Sequence, residues 1–184
     1  DEVIAATQCA LDQGSVVVVA AGNSRAGRSP IGVATPADIP GVITVGASNG
    51  SEAPEAWSAY FSQVEGTQAT DGNVTNEEPV DVVAPGMKTV ARTPTEDGFV
   101  QNSTLSGTSM ATPEVAGGIL LAMAANSTLA NANVSTVHDA VANSARPTPH
   151  MAVAEAGNGM FAADNLAEGT RSEERRVGKE CTLR

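Results

Sequence analysis

Aromatic residues are scarce in this chain. One tryptophan, one tyrosine and three phenylalanines make 3% of its 184 residues, and alanine, glycine and valine dominate instead. Lysine is nearly missing too, since Lys88 is the only one before residue 171. With 10 basic against 21 acidic residues the net charge is −11. Such acidity keeps a protein soluble and hydrated, and it argues against nucleic-acid or anionic-membrane partners. It also fits a salt-rich habitat. The longest apolar-or-glycine run, from Val115 to Ala125, is eleven residues, too short to span a bilayer. Nothing in the use of two cysteines suggests a disulfide framework or a zinc site. Cys9, in a first helical segment, is expected to be a small buried residue. No signal peptide is visible.

The strongest positive feature is Leu105-Ser106-Gly107-Thr108-Ser109-Met110-Ala111-Thr112-Pro113, followed by Glu114-Val115-Ala116-Gly117-Gly118. Small turn-forming residues precede Ser109, and apolar residues follow at helical density. Pro113 is placed in the first turn of that helix, where its missing N–H costs nothing. Free N–H groups and the helix dipole there favour negative charge, the setting an oxyanion-forming nucleophile needs. On position alone Ser109 is an ordinary helix cap. The string Gly107–Pro113 nevertheless resembles the nucleophile motif of the subtilisin-like serine proteases (subtilases) at seven consecutive positions.

Further segments resemble the same family in the same order. Val16-Val17-Val18-Val19-Ala20-Ala21-Gly22-Asn23 reads as a buried parallel strand with function at its carboxyl end. It resembles the subtilase strand that ends in the oxyanion-hole asparagine, which implies that role for Asn23. The Ser109 N–H is the implied second donor. Thr35-Pro36-Ala37-Asp38-Ile39-Pro40-Gly41-Val42 resembles the Pro-rich substrate-pocket loop. Val80-Asp81-Val82-Val83-Ala84-Pro85-Gly86 resembles a core strand and its exit turn, and Gly157-Asn158-Gly159-Met160 a late Gly-x-Gly turn. The resemblance implies pocket walls at Ala20, Ala21 and Gly22, a pocket floor at Ala34, and a preference for medium apolar P1 side chains. It also implies a structural calcium or monovalent cation on the backbone carbonyls of Ala37, Ile39 and Val42, with no cofactor needed for the chemistry. Glu114 departs from the family, which often carries histidine there; in a first turn its charge would suit the dipole.

A subtilase triad runs Asp, His, Ser, and no segment resembles the Asp-bearing strand or the His-bearing helix. The expectation is therefore the C-terminal part of a catalytic domain (residues 1–170), with its triad partners on a missing N-terminal half. The expected activity is that of an extracellular serine endopeptidase acting on polypeptides, and the piece alone should be inactive. His138 is expected on the solvent side of an amphipathic helix whose apolar side is Val134, Val137 and Val141. An α/β-hydrolase order of Ser109, Asp139 and His150 is conceivable. Against it, Ala111 replaces the second elbow glycine and no strand is expected directly before Gly107. A non-catalytic homologue used for binding or scaffolding is the other alternative.

The expected fold is α/β: a subtilisin-like three-layer sandwich with a mainly parallel sheet, truncated at its N-terminal side. Strands are predicted near 15–21, 42–47 and 80–84, and major helices near 109–125 and 134–144. A first helix carries Val3, Ile4, Ala6, Ala10 and Leu11 on one side. Trp57 to Ser62 resembles a short family strand. Residues 66–79 read as a solvated acidic loop without ordered calcium-ligand spacing. Asn102 and Asn126 head glycosylation sequons. Residues 171–184 carry net +2, leaving −13 for the rest, and resemble the translation of a sequencing adapter, a non-native tail.

Overall fold

The computed structural model of the chain describes residues 2–23, 35–48, 80–95, 98, 100–148 and 156–169. In chain order these form α1 (Glu2–Asp12), β1 (Val18–Ala20), β2 (Ile43–Ser48), β3 (Val82–Pro85), β4 (Thr89–Pro94), β5 (Val100–Leu105), α2 (Thr108–Ala125), α3 (Ser127–Ala130), α4 (Val134–Ser144) and α5 (Ala163–Glu168).

The sheet is parallel, in the order β1-β2-β3, with Val18 beside Ile43 and Val45 beside Val82. Strands β2 and β3 are buried on both faces, as parallel strands between helical layers are, whereas Val16–Ala20 around β1 are only half-buried, not the fully buried strand expected. The period-2 alternation sorts their side chains. Val16, Val18, Ile43, Val45, Ala47, Val82 and Ala84 join a cluster with Ala111, Val115, Ile119 and Ala122 of α2 and Val137 and Val141 of α4. Val17 and Val19 join Leu11 of α1, Ile39 and Val42 in a second cluster. The sheet thus lies between α1 and α2, the sandwich that the valine runs predict.

Helix α4 spans the predicted residues, its start capped by the Asn133 side chain accepting from the Thr136 N–H at 2.8 Å. Asn126 caps α3 in the same way through Thr128 and Leu129, and its amide also donates to the Ala167 carbonyl. Both ends of this sequon's side-chain amide are therefore engaged within the fold. Residues 156–161 run along β3. Val83 N–H donates to Gly159 O and Phe161 N–H to Val83 O, at 2.9 and 2.8 Å. A methyl on Gly157 would collide with the Val80 carbonyl, and one on Gly159 with the Arg146 carbonyl. That close approach is why the turn reads Gly-x-Gly.

Several expectations are corrected. Val3 and Ile4 of α1 are exposed, and Leu11 is its buried residue, because the helix meets the described core only at its last turn. Cys9 is exposed, not buried. His138 does not face solvent freely: it is half-buried, with Nε2 3.1 Å from Asp81 Oδ1. A strand does precede Gly107, since β4 and β5 pair antiparallel, with Thr89 opposite Leu105. This hairpin stands apart from the parallel sheet, so it does not supply the central strand of an α/β-hydrolase elbow. Ala34, His150, Trp57 to Ser62, residues 66–79 and the tail 171–184 lie outside the described residues.

Candidate active site

Three chain segments converge where the parallel strands end, the edge of an α/β sheet at which ligands bind. Strand β1 leads through Ala21 and Gly22 to Asn23, and β3 leads into Gly86. Helix α2 begins beside both. Gly107 N–H donates to Gly86 O at 2.7 Å, and Gly86 N–H donates to Ser48 O at 2.8 Å.

Helix α2 starts at Thr108, one residue earlier than expected, and its N-cap Gly107 has no side chain to cap it. The cap comes from elsewhere in the chain. Asn23 Oδ1 accepts from the Thr108 N–H at 3.0 Å and lies 3.2 Å from the Thr108 hydroxyl. That hydroxyl is also 3.2 Å from the Gly22 carbonyl, and Thr108 is fully buried. The Thr108 amide can only donate, so it must face the oxygen of the Asn23 carboxamide. The Asn23 NH2 group is left as a donor at the head of the helix.

Ser109 is exposed in the first turn of α2. Among the described residues its N–H meets no acceptor, whereas the Met110 N–H already donates to Gly107 O at 3.0 Å. Ser109 thus stands at the positive end of an 18-residue helix, the end at which the Asn23 carboxamide is also held. Pro113 stands sixth in the helix, not in its first turn, and cannot donate to the Ser109 carbonyl. The Thr112 hydroxyl donates to the neighbouring Thr108 carbonyl at 2.8 Å. Glu114 is likewise one turn further in than expected, where the dipole's help has faded. Burial pushes its carboxyl above the ordinary range.

Of the pocket residues named from sequence, Ala20 and Gly22 are half-buried beside Asn23. The Ala21 methyl packs into a core cluster with Val80, Val83 and Ala156. The expected cation ligands lie at the opposite, amino end of the sheet. Ala37 O accepts from the Thr44 hydroxyl at 2.7 Å, and Ile39 O from the Val42 N–H at 3.3 Å. Asp81 is engaged through both oxygens, Oδ1 with His138 and Oδ2 with the Thr44 N–H at 2.7 Å. Sequence reasoning missed this cluster because helical periodicity assigns His138 a face but cannot see Asp81, 57 residues earlier in the chain.

The hydrogen bond to Asp81 is the main reason that the His138 pKa lies above its ordinary 6.5, ahead of the opposing effect of burial. A raised folded pKa stabilises the fold fully below the unfolded value and loses that contribution as pH rises through the folded one. Thermal melts of wild type and His138→Gln between pH 5 and pH 9 are expected to show the widest stability gap, about 1 kcal/mol, at the acid end. A gap that widens towards alkaline pH is the contrary result.

The fold is that of a parallel-sheet α/β protein with an exposed serine in the first turn of α2 and the Asn23 carboxamide held at the same helix end. The subtilase family model matches residues 1–175. A cuticle-degrading serine protease from Orbilia oligospora is 33% identical over 142 residues, 77% of this chain and 28% of that protein. Subtilisin E from Bacillus subtilis is 34% identical over 125 residues, 68% of this chain and 28% of that protein. Among solved structures, a protease from Pseudoalteromonas arctica superposes with a TM-score of 0.65 at 21% identity, covering 90% of this chain and 45% of its own. Fervidolysin from Fervidobacterium pennivorans gives 0.62 at 24% identity, with 91% of this chain and 24% of that one covered. The chain belongs to the subtilase family and has the subtilisin-like fold. It spans about 28% of the length of these curated relatives.

Proposed function

We propose that the full-length protein is a serine endopeptidase of the subtilisin type, with this chain supplying the nucleophile and the oxyanion hole. Ser109 Oγ attacks the scissile carbonyl while a histidine outside this chain takes its proton, itself oriented by an aspartate. The tetrahedral oxyanion is held by Asn23 Nδ2 and the Ser109 N–H. Collapse of that intermediate expels the amine and leaves an acyl-enzyme, which water then hydrolyses.

The observation that carries this reading is the pinning of Asn23 Oδ1 by Thr108, the residue before Ser109, which leaves the amide NH2 as a donor at the head of α2. His138 is tied to Asp81 at the far end of the sheet, so it does not take the base's role. Leu120 and Leu121 of α2 are 68% and 71% exposed on a helix that is apolar nearly all round. Such a helix suits burial on every side. This supports a further layer, carrying the Asp and His, packed over that face. Ala20, Gly22 and Ala34 are proposed to shape the P1 pocket, with the Ala21 backbone rather than its methyl contributing.

The substrate is proposed to be polypeptide and the setting extracellular, in keeping with the acidic composition and the family. No helix among the described residues is long and apolar enough to cross a membrane.

A fluorophosphonate probe tests the assignment. It is expected to label Ser109 in the full-length protein and to leave this chain alone unlabelled, because the triad's base is absent. Failure to label the full-length protein would favour a non-catalytic homologue that has kept the fold for binding.

A further inference from the structure

The turn Gly86-Met87-Lys88, between β3 and β4, combines an isolated charge with an unusual backbone. Lys88 is the only lysine before residue 171, in a stretch of net charge −13. It is also the only described non-glycine residue with a positive φ, at 53°. L-residues avoid that left-handed region, whereas glycine enters it freely. Glycine would make the same turn without the cost, so the turn alone does not call for lysine. Strain of this kind collects at functional sites, where a side chain is needed in a fixed place.

Hydrogen bonds tie this turn to the start of α2. The Lys88 N–H donates to the Ser106 hydroxyl at 2.9 Å, and the Gly86 carbonyl accepts from the Gly107 N–H at 2.7 Å. Both ends of the turn are thus fastened to Ser106-Gly107, the residues that lead into Thr108 and Ser109. Ser106 and Ser109 are three residues apart, at most about 11 Å between Cα atoms. Lys88 is exposed, and the ion pairs among the described residues join other groups, His138 with Asp81 and Arg146 with Asp164. Strand β4, six residues and about 20 Å long, stands in the chain between Lys88 and the next carboxylates, Glu96 and Asp97.

We propose that Lys88 is a specificity residue: its ammonium, at the foot of the β4–β5 hairpin, binds an acidic side chain of the polypeptide substrate within a few residues of the scissile bond. The inference rests on Ser109 being the nucleophile of a protease. One cation suffices because its surroundings are acidic. A peptide bearing Asp or Glu is repelled by the rest of the surface and gains only where it meets Lys88. The apolar P1 pocket is proposed on other elements, at the end of β1, so the acidic side chain falls at a different substrate position.

The test is peptide hydrolysis by the full-length protein as wild type, Lys88→Gln, Lys88→Glu and Arg92→Gln. A neutral reference peptide is compared with peptides that carry Glu in place of Gln at one position at a time, on either side of the scissile bond. At low ionic strength the wild type is expected to show, at one of these positions, a kcat/KM about 3–5-fold higher for Glu than for Gln. That ratio is expected to vanish in Lys88→Gln and to invert in Lys88→Glu. In the wild type it shrinks as salt approaches about 1 M, where the screening length is about 3 Å. Arg92→Gln, further along β4, is expected to keep the wild-type ratio. Lys88→Gly, which relaxes the turn, is expected to melt at or above wild type and still to lose the preference. A neutral peptide that is cleaved with no Glu preference at any position, or a preference that survives Lys88→Gln, would overturn the inference and leave the protease reading standing. No hydrolysis of the neutral peptide would overturn both.

Discussion

Replacing Asn23 by alanine is expected to lower kcat of the full-length enzyme about 10²–10³-fold while leaving KM nearly unchanged, a size carried over from removal of the corresponding asparagine in subtilisin. The loss falls on kcat because the oxyanion exists only after Ser109 has attacked. The ground-state carbonyl makes less use of the donor. In this chain the residue has a second duty, since its Oδ1 caps α2 through the Thr108 N–H at 3.0 Å. Alanine therefore also removes a helix cap, which costs about 1 kcal/mol of stability. Asn23→Asp separates the two duties. A carboxylate oxygen still accepts from Thr108, so the helix cap survives, while the Nδ2 donor is replaced by an acceptor that repels an oxyanion. Asn23→Asp is expected to melt with wild type and yet to lose at least as much kcat as alanine. Steady-state kinetics and melting of the two variants side by side check this. Full activity in Asn23→Asp would remove Asn23 from the oxyanion hole.

Gly86→Ala is expected to destabilise the fold by about 2–3 kcal/mol, lowering Tm by about 5–10 °C, and to reduce activity beyond what the lost stability explains. A methyl there would lie 2.6 Å from the Ala47 Cβ, 2.7 Å from the Gly107 carbonyl oxygen and 3.3 Å from the Ala111 Cβ. None of these is the loose end of a long side chain, so strand β2 or the start of α2 must move. Gly107 is also within reach of Asn23. Its own Cβ would sit 3.3 Å from Asn23 Oδ1, so a displaced Gly107 disturbs Asn23 as well as the start of α2 that carries Ser109. Gly117→Ala is the control, because it adds the same methyl to the interior of α2 where nothing lies within 4 Å. That variant is expected to be neutral or slightly stabilising, as alanine is the better helix former. Equal melting of Gly86→Ala and wild type would mean that the contact is slack.

Much of the architecture is legible without coordinates because it rests on local patterns. Four consecutive valines ending in Ala-Ala-Gly-Asn specify a parallel strand and its exit, although the valines are half-buried among the described residues rather than fully buried. The alternation then sends Val18 towards α2 and Val17 and Val19 towards α1. Helix α4 is bounded by an asparagine cap and an apolar stripe, and both are local. The β4–β5 hairpin was not legible, because its strands are largely polar and are held by pairing with each other. The exposure of Val3, Ile4 and Cys9 was illegible for a related reason. One-sided apolar spacing describes a helix face but not whether a partner covers it.

The amino-acid sequence by itself determined the family and the parallel strands, and it singled out Ser109 and Asn23 as candidates, because each is written in contiguous residues whose chemistry is local. The tertiary structure alone decided how those parts are held. Asn23 caps a helix that begins 85 residues later. His138 turns from a surface residue into a partner of Asp81, and the Ala37 carbonyl accepts from the Thr44 hydroxyl of β2. Hydrogen bonds of that kind depend on which distant segments the packed sheet brings within about 3 Å of each other. No periodicity along the chain encodes that distance.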